Sequence, residues 1–394
     1  MPALWRLTQV LLDCLKVVWI PLDESKDDPQ AIFESLNDKG MPLKASELLC
    51  NYVFRPIIES KEPYEDLHNS QWLASIRILD NDDKFEDYLR NLFSIGENKM
   101  IGKHRKVYVH FKAKHRHLTA TVAKQQLIDI FSGAPLYRTI NEPLLHPFND
   151  DGITDLLISI SNTRMDSSTP FVLSVLRALT AGTMAVSGAR TILRDTLVLL
   201  VRRKVTELPT TQYDTMFPQL LSKIVHEPNQ IKALHDQFRK HNVWVSDQEF
   251  EFALIHKATY RSRDLAFSRM ILVEIDKQYQ SHGQFPDYST VNTIEHTLPQ
   301  TLDDAWRTYL GKDTEDERIE TVTDSLGNLC LLSGPANSSA GQNPFDTKKA
   351  AYSPITALAR QIIEHPGPWN IQSILGRSKM LAAKALAVWA WSAE

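Results

Sequence analysis

The sequence has few cysteines and no long apolar run. Its three cysteines, Cys14, Cys50 and Cys330, are widely separated in 394 residues, which excludes a zinc cluster or a disulfide framework. No apolar run reaches the roughly 18–20 residues that a membrane-spanning helix needs. The first residues also lack the basic start, apolar centre and small-residue cleavage site of a signal peptide. We therefore expect a cytoplasmic protein that has no membrane partner.

The chain also lacks an excess of positive charge. It carries 44 basic and 48 acidic residues, for a net charge of −4, which argues against a protein that coats nucleic acid indiscriminately. Phosphate binding needs only local positive charge, and residues 99–124 are rich in basic side chains with histidines and aromatic residues interleaved. The DNA-binding candidates in this stretch are Lys103, Arg105, Lys106, Lys112, Lys114 and Arg116. A solvated helix or hairpin face explains the same pattern equally well.

The pattern of apolar residues predicts a mainly helical protein. Residues 17–22 are β-prone and residues 31–37 predict a short helix, but residues 60–275 have mostly helical spacing. A segment rich in Gly, Pro, His and Gln, residues 281–288, predicts a linker. The fold class that we expect is mainly α (α+β), with a helical body followed by a smaller mixed domain.

Beyond the predicted linker the composition of the sequence and the spacing of its apolar residues change. Residues 290–298 and 325–332 are strand candidates, and the Gly-, Ser-, Asn- and Pro-rich residues 333–344 predict a loop. Helical spacing returns at residues 345–364, interrupted by Pro354. A β-hairpin packed on a helix is therefore the predicted core of this part of the chain.

Five side chains in this part form a pattern suited to phosphodiester hydrolysis. That reaction needs a base for water and a hard cation near the phosphate. His296 ends the first predicted strand, and its pKa range suits a general base near neutral pH. Glu295 points to the opposite side of an extended segment and could reach a metal there, and Asn337 offers an amide oxygen to Mg²⁺ or Mn²⁺. Asn328 could hold the imidazole, and Lys348 could neutralise phosphate charge.

Each of these residues also has a structural explanation. His296 could be a core histidine with satisfied hydrogen bonds, and Asn328 could belong only to a turn. Asn337 could be an ordinary loop residue, and Lys348 could lie on a solvated helix face. The pattern alone therefore leaves a nuclease and a structural role both open.

Residues 290–352 resemble the C-terminal nuclease domain of the GmrSD-type, SspE-like modification-dependent restriction endonucleases. Residues 294–300 read I-E-H-T-L-P-Q and residues 327–332 read G-N-L-C-L-L, followed by Asn337, by residues 343–348 reading N-P-F-D-T-K, and by Tyr352. The resemblance implies a ββα-metal (His-Me finger, HNH-type) fold that nicks or cleaves DNA with a divalent metal.

The same resemblance implies roles for individual residues. It makes His296 the general base, Asn337 a metal ligand and Asn328 the residue that orients the histidine. Glu295 takes the position at which related enzymes carry an aspartate or histidine metal ligand.

A second resemblance lies at residues 32–51, which are similar to the closing motif of the family's ParB/sulfiredoxin-like sensor domain. Glu47 stands where aspartate is usual. The D-G-Q-Q-R motif with which that domain hydrolyses nucleotide does not occur in this chain, so we do not assign that activity. We expect either a fragment of a longer protein or a shortened gene product, with a nucleotide-hydrolysing region as a partner.

These observations predict three parts: a remnant of the sensor domain at residues 1–58, a helical body at 59–280 and a nuclease domain at 281–394. The expected function is a metal-dependent DNA endonuclease of an anti-phage restriction system, acting on modified or foreign DNA. The main alternative is a non-catalytic DNA- or protein-binding module that keeps the nuclease scaffold. Nicking and double-strand cutting both stay open, as does a homo-oligomer.

Overall fold

The computed structural model describes residues 2–14, 32, 43–280, 285–315 and 317–393. This part of the chain is mainly helical and carries a two-stranded antiparallel sheet, which confirms the predicted fold class. The β-prone segment at 17–22, the helix at 31–37 and most of the sensor-like motif up to residue 42 lie outside the described residues.

The helices that precede the sheet are α1 (Pro2–Cys14), α2 (Ala45–Glu59), α3 (Glu65–Leu67), α4 (Leu73–Ile78), α5 (Asp82–Ser94), α6 (Arg105–Lys114), α7 (Ala120–Asn141), α8 (Asp151–Asn162), α9 (Thr169–Thr180), α10 (Val186–Thr206), α11 (Tyr213–Ile224), α12 (Gln230–Lys240), α13 (Asp247–His256) and α14 (Leu265–Lys277). A π-helical turn, His68–Trp72, connects α3 to α4. The sheet and the remaining helices are β1 (Thr293–His296), α15 (Asp304–Leu310), α16 (Ile319–Thr323), β2 (Leu329–Leu332), α17 (Gly334–Ala340), α18 (Phe345–Ala351), α19 (Ala357–Ile363) and α20 (Ile371–Val388).

Several helices begin where a polar side chain can accept a backbone N–H of the first turn. Ser246 and Glu249 form a capping box at the start of α13. Single side-chain caps of the same kind are Asn81, Thr119, Asp150, Asn229 and Asn370. Each cap satisfies a backbone donor that has no partner inside the helix, which fixes the helix start and stabilises it by about 1 kcal/mol.

Two hydrophobic clusters organise the described residues. The first is formed by side chains from α2 through α12, including Phe54, Tyr88 and Phe171. The second combines α13 and α14 with the sheet and the C-terminal helices. Helix α10 contributes to both clusters, with Leu193 in the first and Val201 in the second. This helix is therefore shared by the two clusters.

The end of the chain packs back onto the helical body. The Trp391 ring stacks on Trp244 with centroids 4.1 Å apart, and Arg202 donates a hydrogen bond of 3.0 Å to the Trp389 carbonyl. Ser392 donates through its hydroxyl to the buried carboxylate of Asp195 at 2.7 Å. These contacts connect the two clusters near the C-terminus.

The C-terminal predictions were right in outline and wrong in one loop. The strands form, although β1 and β2 are shorter than the predicted segments. The predicted loop at 333–344 is wrong, because Ser333 caps a short helix there, α17. The division at residue 281 stays a prediction. Helices α13 and α14 precede it in the sequence but pack in the second cluster.

Candidate active site

Strand β1 sends alternate side chains to opposite sides. It pairs antiparallel with β2, so that Glu295 lies opposite Cys330 and His296 lies opposite Leu329. The Glu295 side chain points inward and is buried, whereas that of His296 keeps 11% of its surface exposed. This alternation follows from the two-residue period of an extended strand. Glu295 and His296 therefore lie in two different environments.

The imidazole of His296 is paired with a carboxylate. Its Nε2 atom lies 3.0 Å from Oδ1 of Asp324, and the amide of Gln300 donates to the same oxygen at 2.8 Å. The ring of Tyr260 meets the imidazole edge-on, with centroids 4.4 Å apart. One ring atom of His296 is thus fixed by Asp324, and the ring itself is fixed by packing.

The position of Asp324 is set by its backbone. Its carbonyl accepts hydrogen bonds from the amides of Thr259 and Tyr260, at 2.8 and 2.9 Å. Burial on its own raises the pKa of the Asp324 carboxyl, but the hydrogen bonds from His296 and Gln300 outweigh it and leave the pKa below its ordinary value. The carboxylate is therefore held in its charged form beside the imidazole.

The prediction that Asn328 holds the imidazole is wrong. The Asn328 side chain is fully buried, and its amide nitrogen donates to the carbonyls of Leu298 and Thr323 at 2.8 and 2.7 Å. Its amide oxygen accepts from the Leu298 amide at 2.7 Å and from the Trp369 indole at 2.9 Å. Asn328 therefore fixes the chain just after His296, and no bond to the ring is formed.

Gly327, which precedes Asn328, permits a close approach to helix α20. A Cβ atom at this position would lie 2.0 Å from the Ile374 carbonyl oxygen. The Gly327 amide instead donates to the Ser378 hydroxyl at 2.9 Å. The glycine is required because no side chain fits against that backbone.

Glu295 and Lys348 form a buried ion pair. The Lys348 ammonium lies 2.8 Å from the Glu295 carboxylate, and both side chains are at most 6% exposed. Lys348 also donates to the His296 carbonyl at 2.7 Å, and the Tyr352 hydroxyl donates to Glu295 at 2.9 Å. The prediction that Lys348 neutralises phosphate charge is therefore corrected. Its ammonium is buried and is turned toward strand β1 by its bonds to Glu295 and to the His296 carbonyl. Glu295, predicted as a metal ligand, is the partner of Lys348 and Tyr352.

Asn337 lies on helix α17 beside strand β1. Its amide nitrogen donates to the Ile294 carbonyl at 3.2 Å, and the side chain is half-buried. This bond uses the nitrogen and turns the amide oxygen away from it. Asn337 is therefore placed next to β1 at Ile294, which stands two residues before His296.

The basic candidates of residues 99–124 lie on and around helix α6, which packs in the first cluster. Their side chains are exposed except that of Lys112, which is half-buried with its ammonium over the Tyr108 ring. Lys114 forms an ion pair of 2.7 Å with Glu97. The exposed members are Lys103, Arg105, Lys106, Lys114 and Arg116. The helix that carries this basic set packs in the first cluster, whereas the strands that carry the His296 site pack in the second. The role of the basic set stays a prediction.

Sequence reasoning did not single out Asp324 or Tyr260. Asp324 stands three residues before the G-N-L segment, and a carboxylate just upstream of that turn was the available signal. Tyr260 comes from helical-body sequence far from the motif. Only the folded chain brings it against His296.

No group of three or more His, Cys, Asp or Glu side chains with metal-binding geometry occurs in the described ranges. None of the helices described there is long and apolar enough to cross a membrane.

The comparisons with known proteins point to one family. Residues 244–384 match the model of the GmrSD restriction endonucleases, C-terminal domain. No match was found among curated proteins. The matched residues contain β1, β2, α17 and the His296–Asp324 pair, together with helices α13 and α14. The C-terminal part of this chain is therefore similar to the C-terminal domain of the GmrSD restriction endonucleases.

Proposed function

We propose that this domain is a metal-dependent DNA endonuclease of the HNH (His-Me finger) type, with His296 as the general base. The observation that carries the proposal is the His296–Asp324 pair at 3.0 Å, at the end of a strand that contacts a short helix bearing Asn337. A general base has to be oriented and reachable by water. His296 meets both conditions, because its side chain is fixed by Asp324 and remains partly exposed.

In this mechanism Asp324 orients the base. The Nε2–H of His296 donates to the Asp324 carboxylate, which leaves Nδ1 to accept a proton from the attacking water. The negative charge of Asp324 then stabilises the imidazolium that forms, and Gln300 holds the carboxylate in place. Asp324 is thus a positioning residue that takes the role predicted for Asn328.

Lys348 and Asn328 hold the backbone around the base. The Lys348 ammonium binds the His296 carbonyl, and the Asn328 carbonyl accepts from the Thr297 amide at 3.0 Å. Movement of a catalytic group by even 1 Å is costly to the rate. Both residues therefore support catalysis through the position of His296.

A divalent ion, Mg²⁺ or Mn²⁺, is the proposed cofactor, and it would bind through the Asn337 amide oxygen. Mg²⁺ commonly takes only one or two protein oxygens and completes its shell with water and substrate phosphate. The Asn337 amide oxygen is a suitable metal ligand, because the amide nitrogen already donates a hydrogen bond to the Ile294 carbonyl. Glu295 has its carboxylate engaged by Lys348 and Tyr352, so we assign it to support of the strand. When bound, the ion supplies positive charge to the phosphate and to the leaving oxygen.

The proposed substrate is modified or foreign DNA in an anti-phage restriction system within the cytoplasm. The alternative is a binding module that retains only the nuclease scaffold. The orientation of a partly exposed histidine by a charged aspartate argues for catalysis, since a binding module needs no oriented base.

The experiment that tests the proposal is conversion of supercoiled plasmid with and without Mg²⁺ or Mn²⁺. We expect metal-dependent nicked or linear plasmid from the parent and none from His296→Ala. His365→Ala is a matched control, because His365 lies in the same domain and its ring contacts the Pro368 carbonyl and the rings of Phe345 and Trp369 instead of the proposed base. Plasmid that stays supercoiled with every metal, together with binding of the same DNA, would favour the alternative.

A further inference from the structure

A cleft of about 510 Å³ lies beside the proposed active site. Three separate segments line it: the turn after α8 with Arg164, the end of α10 with Arg203 and Lys204, and the segment before α14 with Arg261. The basic residues of α10 and Arg261 are far apart in the sequence. Folding brings four cationic side chains to one opening.

Four basic side chains line the cleft against three carboxylates, those of Asp166, Glu207 and Asp264. Lys204 and Arg164 lie 3.0 and 3.8 Å from Asp264. Arg261 lies 2.9 Å from Glu207. Arg203 has no carboxylate within ion-pair distance in the part of the chain that the structure describes. Its guanidinium donates to the Pro209 carbonyl, and its Nε atom has no hydrogen-bond partner there.

Arg203 is only 4% exposed although it carries this charge. The Arg203 charge acts on the Glu249 carboxylate only from beyond ion-pair distance. A buried cation without a contacting carboxylate is costly, and an anion in the adjoining cleft would relieve that cost. A buried arginine that lines an open cleft, with no contacting carboxylate among the described residues, is therefore suited to bind an anion. The planar guanidinium suits phosphate in particular.

Two lining residues end helices at the cleft. Arg164 and Glu207 have positive φ angles of 52° and 57° and follow the last turns of α8 and α10. A left-handed residue is a common stop at a helix C-terminus. Here it brings Arg164 and the ion-paired Glu207 to the rim.

Tyr260 lies between the cleft and His296. Arg261 lines the cleft, and its neighbour Tyr260 packs its ring against the His296 imidazole. The Tyr260 amide is also bonded to Asp324. Because each DNA strand carries a phosphate for about every 3.4 Å of helix axis, a strand bound at His296 has further phosphates close to this cleft.

We propose that this cleft binds a backbone phosphate of the DNA, a few nucleotides from the bond that is cut. The inference rests on the proposed function, because it takes DNA as the ligand. Arg203 and Arg164 contact the phosphate, and the ion-paired Lys204 and Arg261 add to the positive potential around it.

The test is a salt titration of duplex binding in EDTA, where no cutting occurs, with fluorescently labelled DNA. Arg164→Glu alters an exposed side chain and should weaken binding about tenfold, and it should lower the slope of log affinity against log salt by about one. Arg203→Gln should act in the same direction, with its fold checked by thermal melting. Arg77→Glu reverses an exposed arginine on α4, outside the cleft, and should leave the slope unchanged.

Each other outcome has a defined meaning. A parent that cuts and binds DNA, with parent-like slopes for Arg164→Glu, overturns the cleft assignment alone. If the parent binds no DNA, this inference and the proposed function fail together. Competition by inorganic phosphate or a nucleoside triphosphate that Arg164→Glu abolishes, with an unchanged slope for DNA, shows a free-anion site and also overturns the inference.

Discussion

The Nε2 atom of His296 lies 3.0 Å from Oδ1 of Asp324, at the point where strand β1 ends. The side chain of His296 and its backbone carbonyl face opposite sides of the site. Asp324 meets the histidine ring on the partly exposed side, and Lys348 binds the histidine carbonyl on the buried side. The side chain and the backbone of one residue are therefore held by two different partners.

Asp324→Asn should reduce cutting while the fold is kept. Asparagine removes the charge that stabilises the imidazolium, so we expect kcat to fall about tenfold or more, with the roughly 10²–10⁴-fold that a general base supplies as the upper limit. KM should change little, because Asp324 acts through His296. Steady-state cleavage of a labelled duplex measures both. Asp346→Asn, an exposed aspartate of α18, is the control, and equal rates for the two variants would remove Asp324 from the mechanism.

The same pair predicts how stability depends on pH. The pKa of Asp324 is depressed in the fold, so its contribution is fully present above the unfolded value of about 3.9 and is lost as pH falls through the lower folded value. We expect Asp324→Asn to be less stable than the parent at pH 7. Urea unfolding at a series of pH values should show this difference shrinking from about pH 5 downward. A difference that widened toward acid would contradict the sign of the shift.

Breaking the Glu295–Lys348 pair should destabilise the domain. Removal of one partner leaves a buried charge, so Lys348→Met should cost about 3–5 kcal/mol of unfolding free energy. The double variant Glu295→Gln/Lys348→Met removes both charges and should cost less than the sum of the two single variants. Chemical unfolding measures all three, with Lys379→Met, an exposed lysine of α20, as the control. Additive losses would mean that the two side chains do not interact.

Asn337→Ala should raise the metal concentration that cutting requires. The substitution removes the proposed oxygen ligand, whereas Asn343→Ala removes an exposed amide that bonds only within its own segment. We expect the half-saturating Mn²⁺ concentration to rise about tenfold for Asn337→Ala and to stay at the parent value for Asn343→Ala. Superimposable titrations of the two variants would exclude Asn337 as a ligand.

The sequence was sufficient for the parts of the site that depend on local pattern. The two-residue period of a strand predicted that Glu295 and His296 face opposite sides, and their burial agrees. Glycine and serine at 333–341 suggested a loop, but Ser333 caps a helix whose N1/N2 position carries Pro335. Local composition was misleading there because a cap and a proline favour a helix start.

The contacts that orient His296 depend on tertiary structure. Tyr260 reaches the ring because helix α14 packs against strand β2 in the second cluster. Asn328 turns away from the ring because the buried Trp369 indole and three backbone groups use its whole hydrogen-bonding capacity. A sequence pattern does not contain these partners, because Tyr260 stands 36 residues from His296 and Trp369 stands 41 residues from Asn328.

The central claim is that His296 acts as a base, and chemical rescue tests it most directly. Cleavage of a labelled duplex by His296→Ala should be measured with saturating metal, with and without added imidazole. We predict no cutting without imidazole and partial recovery with it, since the small base can enter the space left by the side chain. Cutting by His296→Ala at the parent rate in the absence of imidazole would contradict the account.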